Sequence, residues 1–193
     1  MLRALYDRTL RASAHPHAER WLAVVSFIES SVFPIPPDVM LIPMVLADRT
    51  RAWRIALICT VASVLGGVLG YAIGSVFFEL IGQPILDFYG ADEKFLAFQL
   101  KFTEWGAWAV FFAGITPFPY KVITIASGFV HLDLMIFMVA SVLARGLRFF
   151  LVAGLLWYFG EPIRTFIERH LGKLTLVFFV LLLGGFLVVK WLI

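Results

Sequence analysis

Charge is what this chain has least of. Only 13 acidic and 16 basic side chains are spread over 193 residues, while 61% of the residues are hydrophobic and the mean hydropathy is +0.92. Such a composition excludes a water-soluble domain and defines an integral membrane protein of one domain. The net charge of +3 is small, and the basic residues sit mostly in short segments between apolar runs. They read as topology signals, and nucleic acid is excluded as a partner. Cysteine is nearly absent: Cys59 stands alone inside an apolar run, so it forms no internal disulfide, has no metal-ligand spacing and reads as a packing residue. His15, His17, His131 and His170 fall in predicted loops or interfacial segments, and none pairs at a ligand spacing, so neither a metal nor a cofactor is expected. No apolar h-region with a small-residue cleavage site precedes Trp21, and a signal peptide is not expected.

Against this apolar background the prolines interrupt. Trp21 to Phe33 is apolar except for Ser26, Glu29, Ser30 and Ser31, then comes Pro34-Ile35-Pro36-Pro37-Asp38, then Val39 to Ala47 is apolar again. Each proline removes an amide donor and fixes φ, and the residue before it avoids the α region, so Pro34, Pro36 and Pro37 stop a helix. The first arm reaches roughly 20 Å at about 1.5 Å per residue, short of a hydrocarbon core of about 30 Å. The pattern predicts a re-entrant hairpin near residues 21–47, whose unpaired backbone must be buried in protein or line a wet cavity. A second broken hairpin is expected near 105–130, with Pro117 and Pro119 at its turn and Trp105 to Thr116 as another arm too short to cross.

Uninterrupted spans are expected near 55–80 and 134–158. In the first, Ala62, Gly66, Gly70 and Gly74 recur every four residues and make a face small enough for close helix packing. The segment 82–104, with Asp87, Asp92, Glu93, Lys94, Lys101 and Glu104, reads as a polar connection with an acidic excess. Residues 1–18 read as an amphipathic segment in the headgroup layer or a solvated tail, and 161–193 as an amphipathic link followed by a C-terminal transmembrane helix.

The two hairpins align, Pro34-x-Pro36-x-Asp38 on Pro117-x-Pro119-x-Lys121, and Ala62-Ser63-Val64-Leu65 recurs as Ala140-Ser141-Val142-Leu143. Placing the N-terminus inside puts Arg49, Arg51 and Arg54 inside, the acidic link 82–104 outside and the basic link 161–173 inside, in agreement with the preference of arginine and lysine for the cytoplasmic side. The fold class expected is therefore all-α: an inverted repeat of re-entrant hairpin plus transmembrane helix, with a substrate site at the midplane.

Glu29, Asp38, Lys121, Arg145 and Arg148 all fall inside apolar segments. Each costs about 2.5 to 3.5 kcal/mol at a helix centre, so they must converge on one another or on water. In the repeat alignment Gly67 corresponds to Arg145 and Gly70 to Arg148. Buried ion pairs that lock the fold would explain Asp38 with Lys121, but the cations outnumber the carboxylates. The surplus favours an anionic ligand, and guanidinium groups suit a lipid phosphate because they grip two oxygens at once. Lys121, Arg145 and Arg148 are the candidate phosphate-binding residues. A low-dielectric site favours the neutral form of a carboxylate unless a cation faces it. Glu29 and Asp38 are thus the candidate proton carriers, with Asp38 held ionised by Lys121.

With Glu29, the Pro34-x-Pro36-Pro37-Asp38 turn, Gly70-Tyr71-x-x-Gly74 and the second proline hairpin ending at Gly128, residues 19–160 resemble the DedA family, in the region called the VTT or SNARE-associated domain, and are closest to its shorter YqaA-like branch. The resemblance implies a lipid transporter or scramblase of the bacterial inner membrane that moves undecaprenyl phosphate or a phospholipid and depends on the proton motive force. It also implies proton coupling at Glu29 and Asp38. The family's second hairpin usually reads Arg-Phe-x-Pro-x-x-Arg. Here Gly114 stands in place of the first arginine and Lys121 represents the second one position late, with Arg145 and Arg148 restoring charge from the neighbouring span. The expected partners are membrane lipids and protons. A membrane enzyme acting on lipid phosphates is the first competing function, although no Ser-His or Cys-His arrangement lies near the cationic residues. An exporter of ions or small solutes is the second.

Overall fold

The computed structural model describes residues 17–31, 36–90, 92–116, 119–160 and 162. The N-terminal amphipathic segment, Pro34, Pro117 and the C-terminal link and helix expected over 161–193 lie outside the described residues, apart from position 162 and the last residues before α1.

The described chain is helical throughout. Helix α1 (Ala18–Ser31) ends where the first proline cluster begins, and α2 (Asp38–Ala47) starts directly after it. Pro37 caps α2 with a helical φ of −64°, and its carbonyl accepts from the amides of Met40 and Leu41. Asp38 occupies the first turn, where a carboxylate complements the positive end of the helix dipole. With 14 and 10 residues, α1 and α2 reach about 21 and 15 Å, and neither crosses a bilayer core. They nonetheless leave from and return to one end of the molecule, because Glu19 at the start of α1 bridges Arg51 and Arg54 beyond α2. A short 3₁₀ turn (Arg49–Arg51) sits there, capped by Asp48, whose carboxyl the Thr50 hydroxyl and then the Arg51 guanidinium hold below the usual carboxylate range.

Helix α3 (Ala52–Phe77) continues through a π-helical turn (Phe78–Gly82) into α4 (Gln83–Tyr89), and Gly90, at φ 58°, ends it. Helix α5 (Asp92–Ile115) runs back, α6 (Tyr120–Phe129) follows the second proline turn, and α7 (Leu134–Phe159) closes the described chain. Two of the expected segments change here. The stretch 82–104 is helical on both sides of Gly90, and the arm expected over Trp105 to Thr116 is only the last part of a 24-residue helix of about 36 Å. The cause is visible in sequence: no proline interrupts 92–115, and Phe95, Phe98 and Phe102 recur at i, i+3 and i+7, the helical spacing, with successive ring centroids 6.4 and 6.1 Å apart.

The helices running Arg49–Tyr89 and Leu134–Phe159 are long and apolar enough to cross a membrane. They pack antiparallel, with Trp53 6.1 Å from Phe150 at one end, Ser63 bonded to Arg145 in the middle and Tyr71 5.3 Å from Phe137 at the other end. Their outer faces carry rows of exposed leucine and valine four residues apart: Leu57, Val61, Leu65 and Leu69 on α3, and Leu143, Leu147, Leu151 and Leu155 on α7. In water such rows would be an aggregation surface, and against lipid tails they are matched. Inside are two apolar clusters. Leu22, Leu41, Val45, Ile55 and Phe149 form one, Val110, Tyr120, Leu132 and Phe137 form the other, and the polar residues in the middle of α3 and α7 lie between them in sequence.

The glycine face of α3 makes this packing feasible. A methyl on Gly66 would overlap the carbonyl oxygen of Phe27 in α1, one on Gly74 that of Ile125 in α6, and one on Gly70 the Thr124 hydroxyl, so a single stripe receives both broken-hairpin helices. Gly66→Ala, which strikes backbone that cannot yield cheaply, should destabilise by about 1–3 kcal/mol. Gly146→Ala, where a methyl approaches nothing closer than 3.8 Å, should be neutral or better. Thermal unfolding midpoints in detergent test this, and equal midpoints for the two variants would contradict it.

Candidate functional site

Arg145 and Arg148 lie about 17 and 21 Å along a 26-residue helix of about 39 Å, as far from water as α7 allows. Three residues apart, they share a face of the helix. That face meets the ends of α1 and α2 that flank the first proline turn, and there the compensation is found.

The Arg145 side chain is 1% exposed and that of its partner Glu29 is 16% exposed; Nη2 of Arg145 donates to Glu29 Oε2 at 2.9 Å. Its Nε donates to Ser63 Oγ at 2.5 Å. Ser63 Oγ is 2.6 Å from Ser30 Oγ, which is in turn 3.2 Å from Glu29 Oε2. Arg145 can only donate, so Ser63 Oγ accepts from it, while the one proton of Ser30 has the Ser26 carbonyl at 3.0 Å as well as Glu29 Oε2 within reach. This network leaves both charges hydrogen-bonded, the condition under which a buried pair survives desolvation. The guanidinium is also sandwiched between the rings of Tyr120 and Phe149, each centroid 4.7 Å from Cζ.

Arg148 is different in kind. Its side chain is 18% exposed and that of Asp38 is 19% exposed; Nη2 donates to Asp38 Oδ2 at 2.5 Å, and Nη1 donates to the carbonyl of Thr116 at 3.3 Å. Asp38 is the first residue of α2 after one proline turn, and Thr116 the last described residue before the other. One side chain therefore ties both turns. Thr124 on α6 adds a second link, its Oγ1 lying 3.2 Å from the carbonyl oxygen of Ser30 and 2.9 Å from that of Lys121.

Of the residues singled out in the sequence, Glu29, Asp38, Arg145 and Arg148 come together, and Pro36, Pro37 and Pro119 flank them. The pairing differs from expectation. Asp38 faces Arg148 and not Lys121, because the two arginines on one α7 face reach both carboxylates first. Lys121 is half-buried and has no ion-pair partner among the described residues. With both carboxylates on arginines, the expected distinction between an ionised Asp38 and a free Glu29 does not hold. Sequence reasoning missed Ser30, Ser63, Tyr120, Thr116 and Phe149. Ser63 carried a signal, since it lies in the segment repeated at 140–143; nothing in the sequence marked Thr116, which acts through its carbonyl. The hydroxyls of Ser26, Tyr120, Ser127 and Ser141 are buried without a hydrogen-bond partner among the described residues. No cluster of His, Cys, Asp and Glu side chains among them could hold a metal ion.

Broken helices converging on buried arginines within an apolar helical frame are accompanied by a match of residues 35–158 to the VTT domain. The chain belongs to this family, the DedA family of helical membrane proteins. A protein of Haemophilus influenzae, described only as uncharacterized, is 38% identical over 167 residues, covering 86% of this chain and 86% of its own length. An uncharacterized protein of Histophilus somni is 36% identical over 157 residues, 81% of this chain and 82% of the relative. One from Methanocaldococcus jannaschii is 27% identical over 126 residues, 65% of this chain and 75% of its own. No solved structure matches the chain.

Removing one partner of a buried pair strands the other charge and typically costs about 3–5 kcal/mol. Arg145→Met should therefore unfold at markedly milder conditions, and adding Glu29→Gln should recover part of the loss. A double-mutant cycle on the detergent-unfolding midpoint measures this, and strictly additive effects would show that the two side chains do not interact.

Proposed function

We propose that the protein is a lipid transporter or scramblase of the bacterial inner membrane that carries a lipid phosphate, undecaprenyl phosphate or a phospholipid, past the site on α7 with coupling to protons. The observation that carries the reading is Arg148, its side chain 18% exposed, bonded to residues that flank the two proline turns. It is a fork of donors held by one carboxylate and one backbone carbonyl, with the unpaired Lys121 borne on the helix that follows the second turn. The cations divide their work. Arg145, bonded to Glu29 and Ser63, positions the end of α1 against the middle of α3, while Arg148 and Lys121 take the phosphate.

In this reading Asp38 and the lipid phosphate compete for the same guanidinium. Protonation of Asp38 weakens its hold on Arg148 and frees Nη2, and a phosphate that also takes Nη1 from its longer bond to the Thr116 carbonyl completes a bidentate grip, so proton arrival and lipid binding are linked. Glu29 stands in the same relation to Arg145, buried deeper. The two halves are inverted repeats whose turns approach from opposite faces with the N-terminus cytoplasmic. The packing supports this: α1 lies on α3 as α5 lies on α7, α6 packs on α3 as α2 packs on α7, and the long helices are antiparallel. The chain acts as a carrier and not as an enzyme; release of phosphate from undecaprenyl phosphate by the purified protein would overturn that.

Arg148→Lys keeps the charge and loses the fork, which removes one charge-assisted bond worth about 1.5 kcal/mol or more, roughly tenfold in affinity. Asp38→Asn removes the competitor and should tighten binding of the anionic lipid while abolishing its pH dependence. Headgroup translocation and lipid binding in proteoliposomes across a pH series read both. Wild-type behaviour in both variants would show that Arg148 and Asp38 only hold the fold.

A further inference from the structure

A cavity of about 390 Å³ opens away from the arginines, at the end of the molecule where the π-helical turn meets α5 and the link after α6. It is lined by Phe78, Glu93, Phe95, Leu96, Gln99 and His131 among others. Its volume is in the range of small-molecule sites, which run from about 300 to 1,000 Å³.

The aromatic wall is built firmly. Phe78 and Phe95 stack at 4.9 Å, and Phe129 stands edge-on to both, at 5.0 and 5.8 Å. His131 sits edge-on to Phe78 at 5.1 Å and holds a left-handed φ of 54° in the turn into α7. The turn itself is pinned, with the Tyr71 hydroxyl donating to the Leu132 carbonyl at 2.5 Å and the Gln99 amide to that of Val130 at 2.7 Å.

The polar chemistry is mostly that of acceptors: Gln83 also lines the cavity, but its NH₂ group donates to Asp87 at 2.9 Å, and His131 Nδ1 lies 3.5 Å from Ser75 Oγ. With its NH₂ group engaged by Val130, Gln99 has its amide oxygen left for a ligand, and that atom only accepts. The Glu93 carboxylate also only accepts, and it has no ion-pair partner among the described residues. No lysine or arginine is among the described lining residues. The surrounding chain reinforces this sign, since Glu79, Asp87, Asp92, Glu93 and Glu104 outnumber Lys94 and Lys101 between positions 79 and 104. Acceptors, an acidic field and aromatic rings repel phosphate and suit a cationic nitrogen.

We propose that this cavity binds an alkylammonium group, held by the Glu93 carboxylate and the Gln99 amide oxygen against the Phe78–Phe95 wall. The group has two sources, the amine of a zwitterionic phospholipid in the adjacent leaflet or a free amine in solution. The site shares no side chain with the arginine cluster, and its existence does not rest on the transport reading.

The test titrates ethanolamine into the purified full chain in nanodiscs of phosphatidylglycerol alone, followed by calorimetry, and repeats the titration in discs containing phosphatidylethanolamine. Ethanolamine should bind in the first discs, and Glu93→Gln should weaken it about fivefold or more without moving the thermal midpoint. An apparent affinity that falls as phosphatidylethanolamine is added identifies the lipid headgroup as the occupant, and one that does not change identifies the free amine. Absence of binding in the first discs, or equal affinities for Glu93→Gln and the wild type, overturns the proposal and leaves the role of Arg148 untouched.

Discussion

Two arginines in the middle of an apolar helix impose the condition that the rest of this structure meets. A cation at the centre of a membrane helix is unfavourable by about 2.5–3.5 kcal/mol, and two on one face of α7 have no water within reach along the helix axis. The fold brings oxygen to them. The last described turn of α1 and the first turn of α2 place Glu29 and Asp38 beside the arginines, and Pro36 and Pro37 immediately precede α2. The glycine stripe on α3 lets α1 and α6 approach closely enough for Ser30, Ser63 and Thr124 to complete the hydrogen bonds. Proline, glycine and charge are thus three parts of one arrangement.

The two pairs are not equivalent, and the proposed function rests on the difference. Arg145 donates through Nε to Ser63 and through Nη2 to Glu29, and the Tyr120 and Phe149 rings lie against its guanidinium. At 1% exposure this group joins α1, α3 and α7. Arg148 has a longer and weaker bond to a carbonyl, more exposure and a carboxylate partner at a helix start. It is the member of the set that can exchange partners without dismantling the core, and an anion able to accept two hydrogen bonds is the natural competitor.

Much of this was legible in the sequence, and the gaps have physical causes. Pro36, Pro37 and Pro119 mark helix starts because proline lacks a donor wherever it stands, and Gly66, Gly70 and Gly74 mark a packing face because the period of four is geometric. Glu29, Asp38, Arg145 and Arg148 announced a cluster because none is tolerable alone, while Lys121, expected with them, has no ion-pair partner among the described residues. Pairing was not legible: the opposite signs of Asp38 and Lys121 in aligned positions suggested a partnership, but only the packing of α7 on α2 decides that Arg148 arrives first. The helical character of 92–104 was hidden because charge density there resembles a loop, although Phe95, Phe98 and Phe102 stand at the helical spacing of three and four. Contacts made through backbone, such as the Thr116 carbonyl, leave no trace in residue identity.

The central claim is that the two proline turns approach each other from opposite faces of the bilayer and are tied together by Arg148. The most direct measurement is labelling of single-cysteine variants in right-side-out cells with a membrane-impermeant maleimide, at Arg20, Thr50, Tyr89 and Met135, with the buried Cys59 as the unreactive background. The account predicts that Tyr89→Cys and Met135→Cys react from outside, while Arg20→Cys and Thr50→Cys react only after permeabilisation. Labelling of Arg20→Cys and Thr50→Cys from opposite sides, or of Tyr89→Cys and Met135→Cys from opposite sides, would mean that a hairpin crosses the membrane completely, and the account would fail.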